Sequence, residues 1–211
     1  GMMIAENKNI ARAHKAIQEG GWRKQFKNQS HIRNMDRSTV GIIGFGYIGR
    51  RVIDRLKGFG CKIVVHDPFL DPKVITDAGE KAVTLDELLA VSDFVSLHIR
   101  YSEKTHRYFG EEQFGKMKPE AYFINTARSG IVDTDALIKA LQEGRIGGAA
   151  LDVFDEEPLP ADSPFRTLDN VTVVSHMGGT SSDTMACSVE IGYEDLERWL
   201  KGGELLNVRN P

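Results

Sequence analysis

The chain has 211 residues, of which 41% are hydrophobic and 27% charged, and its formal net charge is −3. A chain of this length and composition buries a hydrophobic core, which excludes an intrinsically disordered protein. Lysine and arginine are scattered, so no nucleic-acid partner is expected, and no apolar run is long enough to predict a membrane span. The N-terminus lacks the layout of a signal peptide, which favours a cytoplasmic location. Cys61 and Cys187 lack the spacing of metal ligands, so we expect no metal site and interpret both as small apolar residues that are buried or half-buried.

The first part of the chain predicts one helix and a connection. A helix is expected over residues 3–18, just before two glycines, because apolar side chains recur there at helical spacing: Met3, Ile10, Ala13 and Ile17. The polar stretch after it is interpreted as a surface connection. Residues 1–38 are therefore predicted to be a flanking helix and its link to the rest of the chain.

The middle of the chain predicts an α/β fold. From Thr39 to about residue 180, short apolar strands alternate with helical patterns. Strands that are apolar throughout and separated by helices are typical of a doubly wound parallel sheet covered on both faces. Beyond residue 180, a long helix over 181–201 is expected, with its apolar side chains on one face: Met185, Val189, Tyr193, Leu196 and Leu200.

The stretch "GFGYIG" follows the first of these strands and opens a helix. In a dinucleotide-binding turn, the first glycine (Gly44) permits the tight turn, the second (Gly46) lets a pyrophosphate approach, and the third (Gly49) lets helix and strand pack closely. Asp67 ends the second strand, 18 residues after Gly49, where a carboxylate can accept hydrogen bonds from a ribose. An acid at this position repels a 2′-phosphate, so the sequence predicts NAD rather than NADP.

Three reactive side chains follow later strands: Arg128, Glu157 and His176. The carboxyl ends of parallel strands border the ligand crevice of such a sheet. Hydride transfer to a 2-keto acid needs a proton donor, for which His176 is suited because histidine titrates near neutral pH. Glu157 would orient the imidazole, and the planar fork of Arg128 would hold a carboxylate. Spacing alone leaves the alternative open that all three are ordinary surface residues.

The sequence resembles the D-isomer-specific 2-hydroxyacid dehydrogenases, and within them the phosphoglycerate dehydrogenase-like branch. The resemblance covers nearly all of residues 39–180, through "GIIGFGYIGRRV", "MKPEAYFINTARSGIVD", "GGAALDVFDEEPLP" and "NVTVVSHMGGTS". It implies a Rossmann domain that transfers a hydride between NAD and a small D-2-hydroxy acid or 2-keto acid. The substrate could be an acid of the 3-phosphoglycerate kind, and the keto acids glyoxylate and hydroxypyruvate are equally open. It places the family's catalytic arginine, carboxylate and histidine on Arg128, Glu157 and His176. Formate dehydrogenase relatives carry glutamine where Glu157 stands.

The same resemblance implies a set of cofactor contacts. Asp152 would hold the nicotinamide carboxamide, and Arg100 replaces a proline usual in the loop beside the adenosine. The positions carried over as cofactor contacts are Gly46, Tyr47, Ile48, Asp67, His98, Thr105, Ala127, Asp152 and Gly178.

The family's full chain is longer, because a separate substrate domain precedes this region and is completed by the end of the chain. We therefore expect a cofactor domain from which the substrate domain is largely absent, with residues 181–211 as the last helix and a crossing segment, "NVRNP". The resemblance also implies a homodimer through residues 3–18 and Trp22. Two alternatives stay open: an NAD-sensing interaction module like the co-repressors of this fold, and a domain with internal redox chemistry as in adenosylhomocysteine hydrolase.

Overall fold

A computed structural model describes residues 1–22, 26 and 28–206 of the chain. The strands are β1 (Thr39–Ile43), β2 (Lys62–His66), β3 (Phe94–Leu97), β4 (Tyr122–Asn125), β5 (Gly148–Leu151) and β6 (Val171–Val173). The helices are α1 (Met2–Asn7), α2 (Ile10–Gln18), α3 (Tyr47–Lys57), α4 (Pro72–Asp77), α5 (Leu85–Val91), α6 (Glu111–Lys116), α7 (Thr134–Gln142) and α8 (Ser182–Leu200). The chain divides into two compact units, Gly1–Ser175 and His176–Pro211.

The sheet is parallel throughout and its six strands run in the order β2-β1-β3-β4-β5-β6. Beyond β2, Ala82 adds one isolated parallel bridge to Val65. The strand order reverses between β1 and β3, since the chain moves outward to β2 and then returns to the other side of β1. In open α/β sheets, ligands bind outside the carboxyl ends of the strands at such a reversal.

Each face of the sheet carries its own hydrophobic core, because successive strand residues point to opposite faces. In β1, Ile42 packs into the cluster that includes Ile53 of α3 and Ile75 of α4. The next residue, Ile43, packs into the opposite cluster, which includes Leu88 of α5. The predicted doubly wound α/β fold is confirmed: the strands are largely apolar because both faces of the sheet are covered.

The predicted single helix over residues 3–18 is wrong in one respect, since the structure has two helices there. Lys8 and Asn9 separate α1 from α2, and Asn9 adopts a left-handed conformation with φ of 54°. Asparagine tolerates this conformation better than most residues. The break allows α1 to lie against β4, β5 and β6, where the carboxylate of Glu6 is fully buried. The N-terminal helices are thus part of the compact unit that contains the sheet.

Helix α8 occupies most of the second unit. The hydroxyl of Ser181 accepts a hydrogen bond from the backbone N–H of Thr184 and caps the helix start, close to the predicted position. The side chains predicted as its apolar face are exposed, with Met185 at 74% and Val189 at 71%. The segment "NVRNP" lies outside the described residues, and the predicted domain boundary at residue 180 stays a prediction. Among the helices described, none combines the length and hydropathy needed to cross a bilayer.

Candidate cofactor and active site

The glycine turn after β1 is shaped by close backbone packing. A Cβ on Gly44, whose φ is +107°, would lie 2.6 Å from the backbone carbonyl of His98, and one on Gly49 would lie 2.0 Å from the carbonyl oxygen of Gly44. A Cβ on Gly46, in contrast, would meet nothing within 4 Å. The first and third glycines are therefore required by the fold, while the second borders open space.

The carboxylate of Asp67 connects the turn to the end of β2. Its Oδ2 accepts a hydrogen bond from the backbone N–H of Phe45 at 2.8 Å. Its Oδ1 accepts from the backbone N–H groups of Phe69 at 2.9 Å and Leu70 at 3.2 Å. Asp67 is thus fixed in place by three backbone donors at the position predicted for a ribose contact.

His98 and Thr105 lie on the segment after β3 and support its shape. The backbone N–H of His98 donates to the carbonyl of Ile43 at 2.7 Å, and its Nε2 lies 2.9 Å from Oγ of Ser96. Burial lowers the pKa of His98 to about 4, so its imidazole is neutral at physiological pH. Thr105 is fully buried, and its hydroxyl donates to the carbonyl of Arg100 at 2.8 Å. Both side chains are held by the protein itself, and their predicted contacts with the cofactor stay predictions.

Arg128 is positioned by the last residue of β4. The buried side chain of Asn125 accepts from the backbone N–H of Ala127 and donates to the carbonyl of Arg128, both at 3.0 Å. The guanidinium of Arg128 is exposed, and its Nη1 donates to the carbonyl of Ala127 at 2.6 Å. A guanidinium has five N–H donors, so a planar donor surface remains for an anion at this edge of the sheet.

Asp152 and Glu157 follow the neighbouring strand β5, whose last residue, Leu151, is paired with Asn125. Asp152 is buried, and its backbone N–H donates to the carbonyl of Asn125 at 3.0 Å. Glu157 is exposed, and its Oε1 accepts from the backbone N–H of Phe154 at 3.0 Å. Arg128 and these two acids therefore leave adjacent strands at the same edge of the sheet.

His176 and Gly178 belong to the second compact unit. His176 is exposed and has a left-handed backbone with φ of 55°, and its carbonyl accepts from the hydroxyl of Thr180 at 3.4 Å. A left-handed histidine is uncommon, and the segment around it is a turn that precedes α8. The role predicted for His176 stays a prediction.

The turn and α3 fit a dinucleotide. Helix α3 begins at Tyr47 with Gly46 as its N-cap, and no side chain caps it. The N-terminus of a helix presents unpaired N–H groups and a positive dipole end, which suits a pyrophosphate. Tyr47 and Ile48 are 59% and 57% exposed beside this open space, as expected of apolar side chains that cover a ligand. Within residues 1–22, 26 and 28–206, no group of three or more acidic, histidine or cysteine side chains is placed to hold a metal ion.

Two residues that shape the site were not predicted from the sequence. Asn125 holds the backbone of Ala127 and Arg128 through two hydrogen bonds. A polar residue at the end of an otherwise apolar strand is the sequence feature that could have indicated this role. Arg50 lies over the ring of Phe45, with its guanidinium carbon 4.2 Å from the ring centroid. An arginine in the first turns of an amphipathic helix is usually an exposed surface residue, so the position of Arg50 in the sequence did not indicate its contact with Phe45.

Comparisons with known proteins agree with this geometry. The sequence profile described as "D-isomer specific 2-hydroxyacid dehydrogenase, NAD binding domain" matches residues 1–178. The D-3-phosphoglycerate dehydrogenase of Methanocaldococcus jannaschii is 39% identical over 100% of this chain and 40% of its own length. The glyoxylate reductase of Korarchaeum cryptofilum is 37% identical over 100% of this chain and 66% of its own.

Among solved structures, the D-lactate dehydrogenase of Lactobacillus jensenii with NAD+ superimposes with a TM-score of 0.83 at 27% identity, covering 100% of this chain and 66% of that one. The chain thus spans between 40% and 66% of the length of these relatives. The profile match, the glycine turn and the parallel sheet lead to one conclusion: the chain belongs to the D-isomer specific 2-hydroxyacid dehydrogenase family, and it is an NAD-binding domain of that family.

Proposed function

We propose that the protein is an NAD-dependent oxidoreductase that interconverts a small D-2-hydroxy acid and the corresponding 2-keto acid. The observation that carries this proposal is the exposed guanidinium of Arg128, a residue whose backbone Asn125 holds at the carboxyl edge of an NAD-binding sheet. The relatives reported above are named as enzymes that act on acids of this class, which favours an oxidoreductase over the NAD-sensing interaction module. When bound, NAD would accept or donate the hydride.

Arg128 would hold the substrate carboxylate and the neighbouring carbonyl oxygen. One N–H of its guanidinium already donates to the carbonyl of Ala127, which restricts the orientation of the planar group. A guanidinium presents parallel donors that match the two oxygens of a carboxylate, and a lysine cannot reproduce this geometry. Its charge would also stabilise the negative charge that develops on the carbonyl oxygen during reduction.

His176 would supply the proton when the keto acid is reduced and take it back in the opposite direction. Glu157 would stabilise the protonated imidazole, which needs a carboxylate with a fixed orientation. The hydrogen bond from the Phe154 N–H to Oε1 supports this role, because it restrains the glutamate within its own loop. The acid and base roles of the pair follow from their chemistry, since histidine is suited to proton transfer near neutral pH.

For the cofactor, we propose that Gly46, Tyr47 and Ile48 receive the pyrophosphate at the start of α3 and that Asp67 binds the adenosine ribose. Asp152 would bind the nicotinamide carboxamide, which decides the ring face that is presented to the substrate. The uncapped start of α3 and the open space at Gly46 support the first assignment. The remaining proposed contacts are Gly44, Gly49, His98, Thr105, Ala127 and Gly178.

The test measures NADH binding and NADH oxidation by the 211-residue chain. Binding is followed by NADH fluorescence, and oxidation is followed with glyoxylate, hydroxypyruvate and 3-phosphohydroxypyruvate. We expect NADH to bind, and we expect any turnover to be abolished by His176→Ala and lowered about a hundredfold or more by Arg128→Lys. Arg145→Lys is the matched control, because this exposed arginine pairs with Glu143 before β5 and should leave turnover unchanged.

Three outcomes would separate the parts of the proposal. A chain that binds no NADH would contradict the cofactor assignment. A chain that binds NADH and turns over a keto acid equally well with Arg128→Lys would contradict the assignment of the carboxylate site to Arg128. Binding without turnover would show that the remaining length of a family member is needed to hold the substrate.

We also propose a homodimer formed through residues 3–18, which include α2, and through Trp22. Ile10 and Ile17 lie seven positions apart on one face of this helix and are both 52% exposed, and Trp22 is 76% exposed. Deleting residues 3–18 would also remove the buried Glu6 of α1, so a point substitution in α2 is the sharper test. We expect Ile17→Glu to give a monomer by light scattering, whereas Val91→Glu, at a residue 43% exposed, should not change the mass. A dimer that persists in Ile17→Glu would contradict this interface.

A cytoplasmic location remains part of the proposal. Cys61 and Cys187 are free thiols, which is typical of proteins kept in a reducing compartment. Cys61 is half-buried as predicted, whereas Cys187 is exposed, so the predicted burial of Cys187 is wrong.

A further inference from the structure

The peptide groups on both sides of Phe45, the residue between Gly44 and Gly46, are held by oppositely charged side chains. Its N–H donates to Oδ2 of Asp67 at 2.8 Å, and its carbonyl accepts from Nε of Arg50 at 3.0 Å. The guanidinium of Arg50 also lies over the Phe45 ring, 4.2 Å from the centroid, while the ring itself is buried with 2% exposure. Arg50 therefore contacts both the backbone carbonyl and the ring of Phe45.

The hydrogen bond to the carbonyl of Phe45 also determines the orientation of the next N–H. The peptide unit is planar and trans, so the N–H of Gly46 points opposite to the carbonyl of Phe45. Gly46 is the N-cap of α3, and the space around its Cα is open. Arg50 thus holds the carbonyl on one side of the turn and leaves the N–H of Gly46 to point away from it.

We infer that Arg50 is a positioning residue for the NAD pyrophosphate: through Phe45 it fixes the peptide whose N–H group receives the phosphate. The inference rests on NAD binding by the domain and does not depend on the identity of the substrate. Asp67 completes the arrangement from the other side, so the turn has its binding conformation before the cofactor arrives. Preorganisation of this kind raises affinity because the loop need not be ordered on binding. Arg50 acts by holding the shape of the turn, whereas an arginine that contacted the phosphate directly would act through its charge.

Arg51 provides a matched control. It is the next residue on α3, it is also exposed, and its guanidinium carbon lies 5.4 Å from the centroid of the Tyr47 ring. Its side chain has no contact with the Phe45 peptide among those the described residues make. Arg50→Met and Arg51→Met remove the same charge from adjacent positions, so an effect of net charge alone would be the same in both.

The test measures affinity for ADP-ribose by calorimetry and for adenosine by ligand-observed NMR. We expect Arg50→Met to weaken ADP-ribose binding by about tenfold, the order of one charge-assisted hydrogen bond, and to leave adenosine binding unchanged. Arg51→Met should change neither affinity. In the free protein, Arg50→Met should shift the amide resonances of Phe45 and Gly46, which a lost charge contact with the ligand would not do.

Arg50→Lys separates shape from charge, since lysine keeps the charge but lacks the planar group that donates from Nε while lying over a ring. We expect it to recover less than half of the lost binding free energy. Full recovery by Arg50→Lys, or equal losses in Arg50→Met and Arg51→Met, would overturn the inference. A wild-type chain that binds no ADP-ribose would instead contradict the cofactor assignment itself, so the two failures are distinguishable.

Discussion

Replacing Gly49 by alanine tests the packing of α3 against the turn. The added Cβ would lie 2.0 Å from the carbonyl oxygen of Gly44, whereas ordinary contact begins at 3.4 Å. Because both partners are backbone, no side-chain rotation relieves the overlap, and the helix must move away by more than an ångström. Overpacking costs up to about 3 kcal/mol, and the better helix propensity of alanine offsets about 1 kcal/mol of it. We expect a net loss of about 2 kcal/mol, which lowers the Tm of a chain of this size by about 4–8 °C.

Two other glycines provide the controls for this measurement by thermal and urea unfolding. Gly115 lies in α6, where a Cβ would meet nothing within 4 Å, so Gly115→Ala should leave stability unchanged or raise it by up to about 1 kcal/mol. Gly46 also borders open space, and Gly46→Ala should leave the Tm within about 2 °C while weakening NADH binding. If Gly49→Ala were as stable as Gly115→Ala, the close approach of helix and turn would be refuted.

Three further predictions concern titration and positioning. Burial lowers the pKa of His98 to about 4, so the folded protein binds fewer protons at this residue than the unfolded chain. The protein should therefore lose stability as the pH falls from 6.5 to 4. His98→Asn should flatten this pH dependence in urea unfolding curves. Burial raises the pKa of Glu6 above 4.5 despite the adjacent Arg12. The protonated carboxyl therefore contributes stability that is present below pH 4.5 and is lost as the pH rises through the folded pKa. As the pH rises over this range, Glu6→Gln should gain stability relative to the wild type. Asn125→Asp keeps the acceptor for the Ala127 N–H but cannot donate to the carbonyl of Arg128. It should lower turnover at least tenfold while the affinity for NADH changes less than threefold. Equal losses in turnover and in affinity would contradict a positioning role for Asn125.

The sheet could be predicted from the sequence because its signal is local. A strand buried on both faces is apolar throughout, and Val40, Ile42 and Ile43 of β1 are all fully buried. The break between α1 and α2 could not be predicted in this way. The break places the Glu6 carboxylate against Thr172, 166 positions later in the chain, whose hydroxyl donates to Oε2 of Glu6 at 2.6 Å. A charged residue on an amphipathic helix gives no sign that a partner so distant will enclose it.

The same distinction holds at the candidate site. The roles of Gly44 and Gly49 follow from spacing, because a turn between a strand and a helix needs glycine where two backbones meet. The contact between Arg50 and Phe45 depends on how a buried ring and an exposed guanidinium pack in three dimensions. Neither Phe45 nor Arg50 is one of the glycines that define the motif, so the sequence assigned no role to this pair.

A resemblance to a family transfers residues, but it does not say whether each one contacts the ligand or supports a residue that does. The structure separates these cases by what each polar group already binds. The hydroxyl of Thr105 is buried and bonded within its own loop, so this side chain supports the loop in addition to the cofactor contact proposed for the residue. Tyr47 and Ile48 are exposed beside the uncapped start of α3, which is the arrangement of a surface that awaits a ligand. Asp67 combines both, since it binds three backbone donors and yet lies where the ribose is expected, and for that reason a substitution made there to change cofactor preference would also disturb the glycine turn.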